Sequence, residues 1–224
     1  MSFITKEKSV ALYAALVSFG TYVFIFGFRK SFTVCTFEGM TFGPIAFKTA
    51  MVISQMLGYL MAKFYGIKFI SGLEKKNRYK IIFLLTGIAW TAWLLFAIVP
   101  APYSILFLFI NGFPLGMLWG VVFSYVEGRR STDFIGAALA VSFIFSAGWV
   151  KSVGAWLMQD FNVSETWVPF CTGLVFALPL VICVWGLEKV PAPSKEDEAL
   201  RAKRIPMTGE DRKLILKQYL PGVI

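Results

Sequence analysis

From residue 81 to residue 126 the chain runs 46 residues without a charged side chain, broken only by Pro100-Ala101-Pro102. A soluble domain has no use for such a run. A membrane span needs ~20 apolar residues to cross ~30 Å of hydrocarbon. Residues 81–99 and 103–126 each reach that length, with the two prolines as the turn between them. The expected solvent of this chain is therefore a lipid bilayer.

Composition narrows the function classes. The chain is 57% hydrophobic and 16% charged, against ~25% charged in soluble domains. Its net charge of +9 invites a nucleic-acid reading. The basic residues, however, are spread over short membrane loops, as the positive-inside rule requires, so no nucleic-acid partner is expected. There is no histidine, which excludes His-based acid–base chemistry and His metal ligation. Cys35, Cys171 and Cys183 lack metal-like spacing and read as small core residues. No phosphate-cradling loop or nucleophile elbow occurs, and Asn162-Val163-Ser164 is a short match to the glycosylation pattern. The chain reads as no enzyme, with no cofactor and no metal. Lys6 and Lys8 precede an apolar run too long for a signal peptide and without a small-residue cleavage site, so this run reads as a first, uncleaved span.

Hydropathy gives an all-α, multi-pass fold with six spans, at about residues 9–28, 43–65, 79–99, 103–126, 132–157 and 166–187. The spans form one domain, residues 1–187. Residues 188–224 are polar, with Pro191 and Pro193 as linker signals. Thr208 is expected to cap a short amphipathic helix over residues 209–219. With the N-terminus in the cytoplasm, Lys68, Lys75, Lys76, Arg78, Lys80, Arg129 and Arg130 all fall on the inner side. The outer loops then hold Glu38, Asp160 and Glu165 and no Lys or Arg. Both termini are thus expected inside. Gly27-Phe28-Arg29-Lys30-Ser31 and Gly128-Arg129-Arg130-Ser131 end spans 1 and 4 in opposite orientations, as a 3+3 inverted repeat would arrange them.

Charges in hydrocarbon cost several kcal/mol unless paired or wet. Arg29 and Lys30 follow 20 uncharged residues, Lys48 opens span 2, and Lys151 lies ~18 residues into span 5. All four are expected at one outer level, forming a cationic vestibule for an anionic solute or snorkelling to headgroups. Lys48, Gln55 and Tyr59 share one face of span 2. Asn111 is placed to hydrogen-bond across the bundle, with a helix–helix contact as the favoured role. Gly112, Gly116 and Gly120 recur every fourth residue, and Gly148 and Gly154 flank Lys151, spacing that permits close helix approach. Glu127, Arg129, Arg130 and Asp133 cluster at the inner ends of spans 4 and 5, as an ion-pair latch rather than an acid–base pair.

The run from Asn111 to Gly136, with its glycine-rich span followed by Glu127, Arg130 and Gly136, resembles spans 4 and 5 of the major facilitator superfamily. Lys75-Lys76-Asn77-Arg78 departs from that family's loop 2–3 motif. More narrowly, residues 28–32, the span 4–5 segment and Arg204-Ile205-Pro206-Met207 resemble an uncharacterised bacterial family of facilitator-like membrane proteins. The resemblance implies the N-terminal half of a two-half secondary transporter in the bacterial inner membrane, moving a small solute by alternating access. The implied partners are the lipid bilayer, the solute, and a second six-helix half or a homodimer copy, with that second half expected to begin near residue 220. A non-transporting scaffold or sensor that keeps the fold is the rival expectation.

Overall fold

The computed structural model describes residues 2–71 and 77–194, together with Glu196, Asp197, Glu210, Leu214, Lys217 and Gln218. The chain divides into two units, Met1–Ala192 and Pro193–Ile224. Thr208, most of the expected 209–219 helix, Arg204-Ile205-Pro206-Met207, Lys75 and Lys76 lie outside the described residues.

Among the described residues the first unit has six α-helices: α1 Ser2–Lys30, α2 Phe47–Ser71, α3 Arg78–Ile98, α4 Leu106–Phe123, α5 Thr132–Asp160 and α6 Val168–Glu188. Among the described residues five segments are long and apolar enough to cross a membrane: Glu7–Val34, Arg78–Ile98, Tyr103–Phe123, Thr132–Asp160 and Val168–Glu188. These mark a membrane protein. The exception is α2, which carries Lys48, Gln55, Tyr59, Lys63 and Lys68 spread along its length.

Element boundaries differ from the hydropathy reading where local chemistry intervenes. The second helix begins at Phe47, four residues later than expected. Strands β1, Thr41–Phe42, and β2, Ile45–Ala46, pair antiparallel just before it. Gly43 takes φ +57° at the tip, the positive φ that a two-residue primed turn needs at its first position. The fourth helix ends at Phe123 rather than Val126, followed by turns in which Gly128 takes φ +80°.

Helix α4 is the hub, packing extensively on α2 and α3, while α1 packs on α5 and α6. The α2–α4 contact is close because it is built on glycine. A Cβ on Gly112 would stand 2.2 Å from the Gln55 carbonyl oxygen, and one on Gly58 would stand 2.3 Å from the Phe109 carbonyl oxygen. Gly116 and Gly120 continue the stripe against Ala62 and Ile70. On α5 only one glycine of the expected pair packs: Gly154 abuts Val34, while Gly148 has nothing within 4 Å. The larger buried cluster includes Tyr22, Phe28, Leu118, Val121 and Phe176, and a second, around Phe32, Phe37, Phe47, Trp93 and Phe96, fills the end that carries the β hairpin.

Candidate functional site

A polar knot sits where α1 ends. The carbonyls of a helix's last turn lack intrahelical donors, and in hydrocarbon each such group costs several kcal/mol if unsatisfied. Side chains from three other helices supply the donors. Asn111 Nδ2 of α4 donates to the Phe28 carbonyl at 3.0 Å and to the Ala89 carbonyl of α3 at 2.9 Å. Trp93 Nε1 of α3 donates to the same Phe28 oxygen at 2.5 Å. Gln55 Nε2 of α2 bridges the Arg29 carbonyl and Asn111 Oδ1, each at 2.8 Å. Gln55, Trp93 and Asn111 are all buried. Gln55, on the face shared with Lys48 and Tyr59, and Asn111, expected foremost as a helix–helix contact, are thus used in joining four helices.

Arg29 lies beside this knot. Its guanidinium carbon stands 4.0 Å from the centre of the Tyr59 ring and 6.0 Å from that of Phe26. Its Nε is buried without a hydrogen-bond partner among the described residues. Lys63 Nζ lies 4.6 Å from the same Tyr59 ring, and Tyr22 of α1 is a hydroxyl neighbour of Tyr59 within the field of Arg29. Cation–π contacts contribute ~0.5–2 kcal/mol, whereas a charged side chain deep in a bilayer costs at least ~2.5–3.5 kcal/mol. The rings alone do not offset the charge. Lys63 escaped the sequence reading although it extends the Lys48, Gln55, Tyr59 face by one further step of four, which was the available signal.

The expected single level of four cations is not what the structure builds. Lys48 belongs to the hairpin end, where its Nζ donates to the carbonyls of Thr33 at 3.1 Å and Cys35 at 2.5 Å. The Arg29 guanidinium instead reaches Tyr59, 11 residues or ~16 Å further along α2 at ~1.5 Å per residue. Past Lys30 the α-helix gives way to a 3-10 turn, Ser31–Val34, and then to the hairpin that carries Lys48 at its foot. Lys151 is exposed on α5, while Val150 and Gly154 form the buried face of that stretch. Lys30 is half-buried, its Nζ 5.9 Å from the Phe32 ring centre.

Glu165 closes the hairpin end. Its carboxylate accepts from the Thr36 amide at 2.6 Å, the Thr36 hydroxyl at 2.8 Å and the Phe37 amide at 2.7 Å. Phe37 is buried with φ +52°, a conformation costly for a bulky residue, and Glu165 holds it there. Burial pushes the Glu165 carboxyl up, but the Thr36 and Phe37 donors and the Lys48 charge outweigh it and leave it below its ordinary value. A carboxyl lowered on folding contributes stability that is complete above its unfolded pKa of ~4.3 and lost as the pH falls through the lower folded value. Melting temperature is therefore expected to fall with pH below ~4.3, and Glu165→Gln is expected to remove most of that dependence. A slope equally steep in the variant would show that other carboxyls set it. Burial, reinforced by Glu165, pushes the Cys35 thiol up to about 12. The protonated sulfur donates to the Glu165 carbonyl at 3.4 Å.

At the opposite end Arg78 donates to the Ser124 carbonyl at 2.7 Å and lies 5.3 Å from the Tyr125 ring centre. The Tyr125 hydroxyl donates to Glu188. Burial, then the Glu188 contact, holds that phenol proton well above the usual tyrosine range. The Arg129 guanidinium donates to the Pro191 carbonyl, and its amide donates to the Thr132 hydroxyl at 2.9 Å. Glu127 is half-buried in the turn, and Arg130 and Asp133 are exposed. Arg78, Tyr125 and Glu188, none of them singled out from the sequence as site residues, thus tie the starts and ends of α3, α4 and α6 together.

A family model described as a family of unknown function (DUF5690) matches residues 31–224. No curated protein and no solved structure matches the chain.

Proposed function

The chain belongs to the DUF5690 family, and from that premise, which leaves the activity open, we propose that it is a six-span, facilitator-type transporter unit carrying a small anionic solute by alternating access. The observation that carries this reading is the pairing of its helices. Exchanging α1 with α4, α2 with α5 and α3 with α6 converts the α2–α4 contact into α5–α1 and the α3–α4 contact into α6–α1. Those four are the most extensive helix contacts in the unit, the pattern a 3+3 inverted repeat produces. Inverted-repeat transporters bind substrate near the bilayer midplane, where a helix is interrupted. Arg29 fits that place: one residue later the α-helix gives way to a 3-10 turn, Ser31–Val34, and the guanidinium sits over Tyr59, halfway along α2.

The loop charges favour cytoplasmic termini, and the proposed location is the bacterial inner membrane. A second six-helix half or a second copy of the chain completes the path. In proteoliposome counterflow with inorganic phosphate and a set of small carboxylates, at least one anion is expected to accumulate above empty liposomes. Losing a charge-assisted contact of ~1.5–3 kcal/mol predicts that Arg29→Ala cuts that rate ~10- to 100-fold. Lys151→Ala, on an exposed stretch of α5, is expected to change it less. Accumulation no better than in empty liposomes for every anion tested would favour the rival, a membrane scaffold or sensor. One observation speaks for that rival: aromatic pairs such as Tyr22–Phe143 and Phe24–Phe176 fill the α1–α5 and α1–α6 contacts.

A further inference from the structure

We infer that Arg29, Tyr59 and Lys63 form a binding site for an oxyanion, a carboxylate or phosphate group, with Lys63 as its second cation. This inference deepens the transport reading and rests on it for the supply of ligand from solution. Three observations carry it. Two cations face one ring, at 4.0 Å and 4.6 Å from its centre, an arrangement of like charges that needs a counter-charge. That counter-charge is not in the helices. Residues 39–73 and 75–126 hold no acidic side chain, so α2, α3 and α4 have none, and the sole acid of α1 is Glu7, ~33 Å of helix from Arg29. Asp133, Asp160 and Glu188 sit at the ends of α5 and α6. Finally, the Arg29 Nε is a buried donor with no acceptor among the described residues.

The chemistry selects the ligand. The site offers a guanidinium, an ammonium and the neighbouring hydroxyls of Tyr59 and Tyr22, all able to donate. A planar guanidinium pairs with two oxygens of one carboxylate or phosphate at once, which halide ions cannot match. The sequence spacing agrees, since Tyr59 and Lys63 lie one turn apart on α2 and present their side chains on one face.

The same oxyanion chemistry can come from a soluble anion or from an anionic lipid headgroup, and binding to purified full-length protein separates them. Inorganic phosphate and succinate are titrated at constant ionic strength, with chloride as balance, first in detergent and then in nanodiscs of phosphatidylcholine or phosphatidylglycerol. The expected result is saturable phosphate or succinate binding in detergent that weakens at least ~10-fold in Arg29→Lys and in Lys63→Gln. Lys80→Gln, an exposed charge on α3, should leave it unchanged. Arg29→Lys keeps the charge but loses the fork geometry, and Lys63 is exposed, so neither variant threatens the fold. If the Arg29 and Lys63 dependence appears only as preferential retention of phosphatidylglycerol, the site stands and its oxyanion is a headgroup. Binding equal in all variants, or absent with every probe, overturns the site. Oxyanion binding without counterflow retains the site and removes transport. Counterflow that survives both substitutions retains transport and removes the site.

Discussion

Replacing Gly112 with valine is expected to push α2 off α4 and lower the melting temperature. The obstacle is main chain: even a Cβ would stand 2.2 Å from the Gln55 carbonyl oxygen and 3.1 Å from its carbon. Backbone in mid-helix cannot step aside as a flexible side chain can, so the helices must separate. Overpacking of this kind costs ~1–3 kcal/mol and sometimes more, which at ~2–4 °C per kcal/mol for a chain of this size lowers the melting temperature by ~2–12 °C. The loss compounds, because Gln55 is itself the bridge to Arg29 and Asn111. Thermal unfolding in detergent, followed by size-exclusion monodispersity, measures it. Gly148→Ala is the control: nothing lies within 4 Å of that glycine, and exchanging glycine for alanine in a helix gains up to ~1 kcal/mol. A Gly112→Val protein that melts with the wild type would mean that α2 and α4 do not meet at this residue.

The second large effect is expected at Asn111. Asn111→Leu keeps the volume close and removes three hydrogen bonds, to Phe28, Ala89 and Gln55. Side-chain bonds between membrane helices average ~0.6 kcal/mol and reach ~1.7 kcal/mol, so the loss is ~2–5 kcal/mol. Two of the partners keep other bonds, Phe28 from Trp93 and Gln55 to Arg29, which favours the lower part of that range. A double-mutant cycle with Gln55→Leu tests the pairing. Removing both partners of one buried bond costs less than the sum of the single removals, and coupling of ~0.5–3 kcal/mol is expected for side chains in contact. Strict additivity would dissolve the bridge. Because Gln55 holds the Arg29 carbonyl, weaker anion binding is expected to accompany the lost stability.

Much of the scaffold was legible without coordinates. Each of the six expected spans overlaps a helix, and two of the boundaries that moved, the start of α2 and the end of α4, lie beside Gly43 and Gly128 at positive φ. The glycine stripe of α4 was readable as a close-packing face from its spacing alone. The candidate site was legible only in part. Arg29 and Tyr59 were named, but counting residues along α1 says nothing of which side chains Arg29 will meet on α2. Lys48 was grouped with Arg29 although it caps the Thr33 and Cys35 carbonyls. Glu165 was read as a plain loop residue, since nothing local shows that it will meet the Thr36 and Phe37 amides across 128 residues of chain.

What the sequence determined by itself is the solvent and the secondary structure. The free energy of moving a residue from water into hydrocarbon is close to a sum over residues, and helix formation in lipid follows from the need to satisfy every backbone group locally. What only the tertiary structure decided is which polar groups satisfy one another and which are left over. Asn111, Gln55 and Trp93 are consumed by the open carbonyls of α1, Lys48 and Glu165 by the loop above it, and Arg29 remains beside Tyr59 and Lys63. That division depends on the depth and facing of residues brought together from four helices, and no sum over single residues contains it.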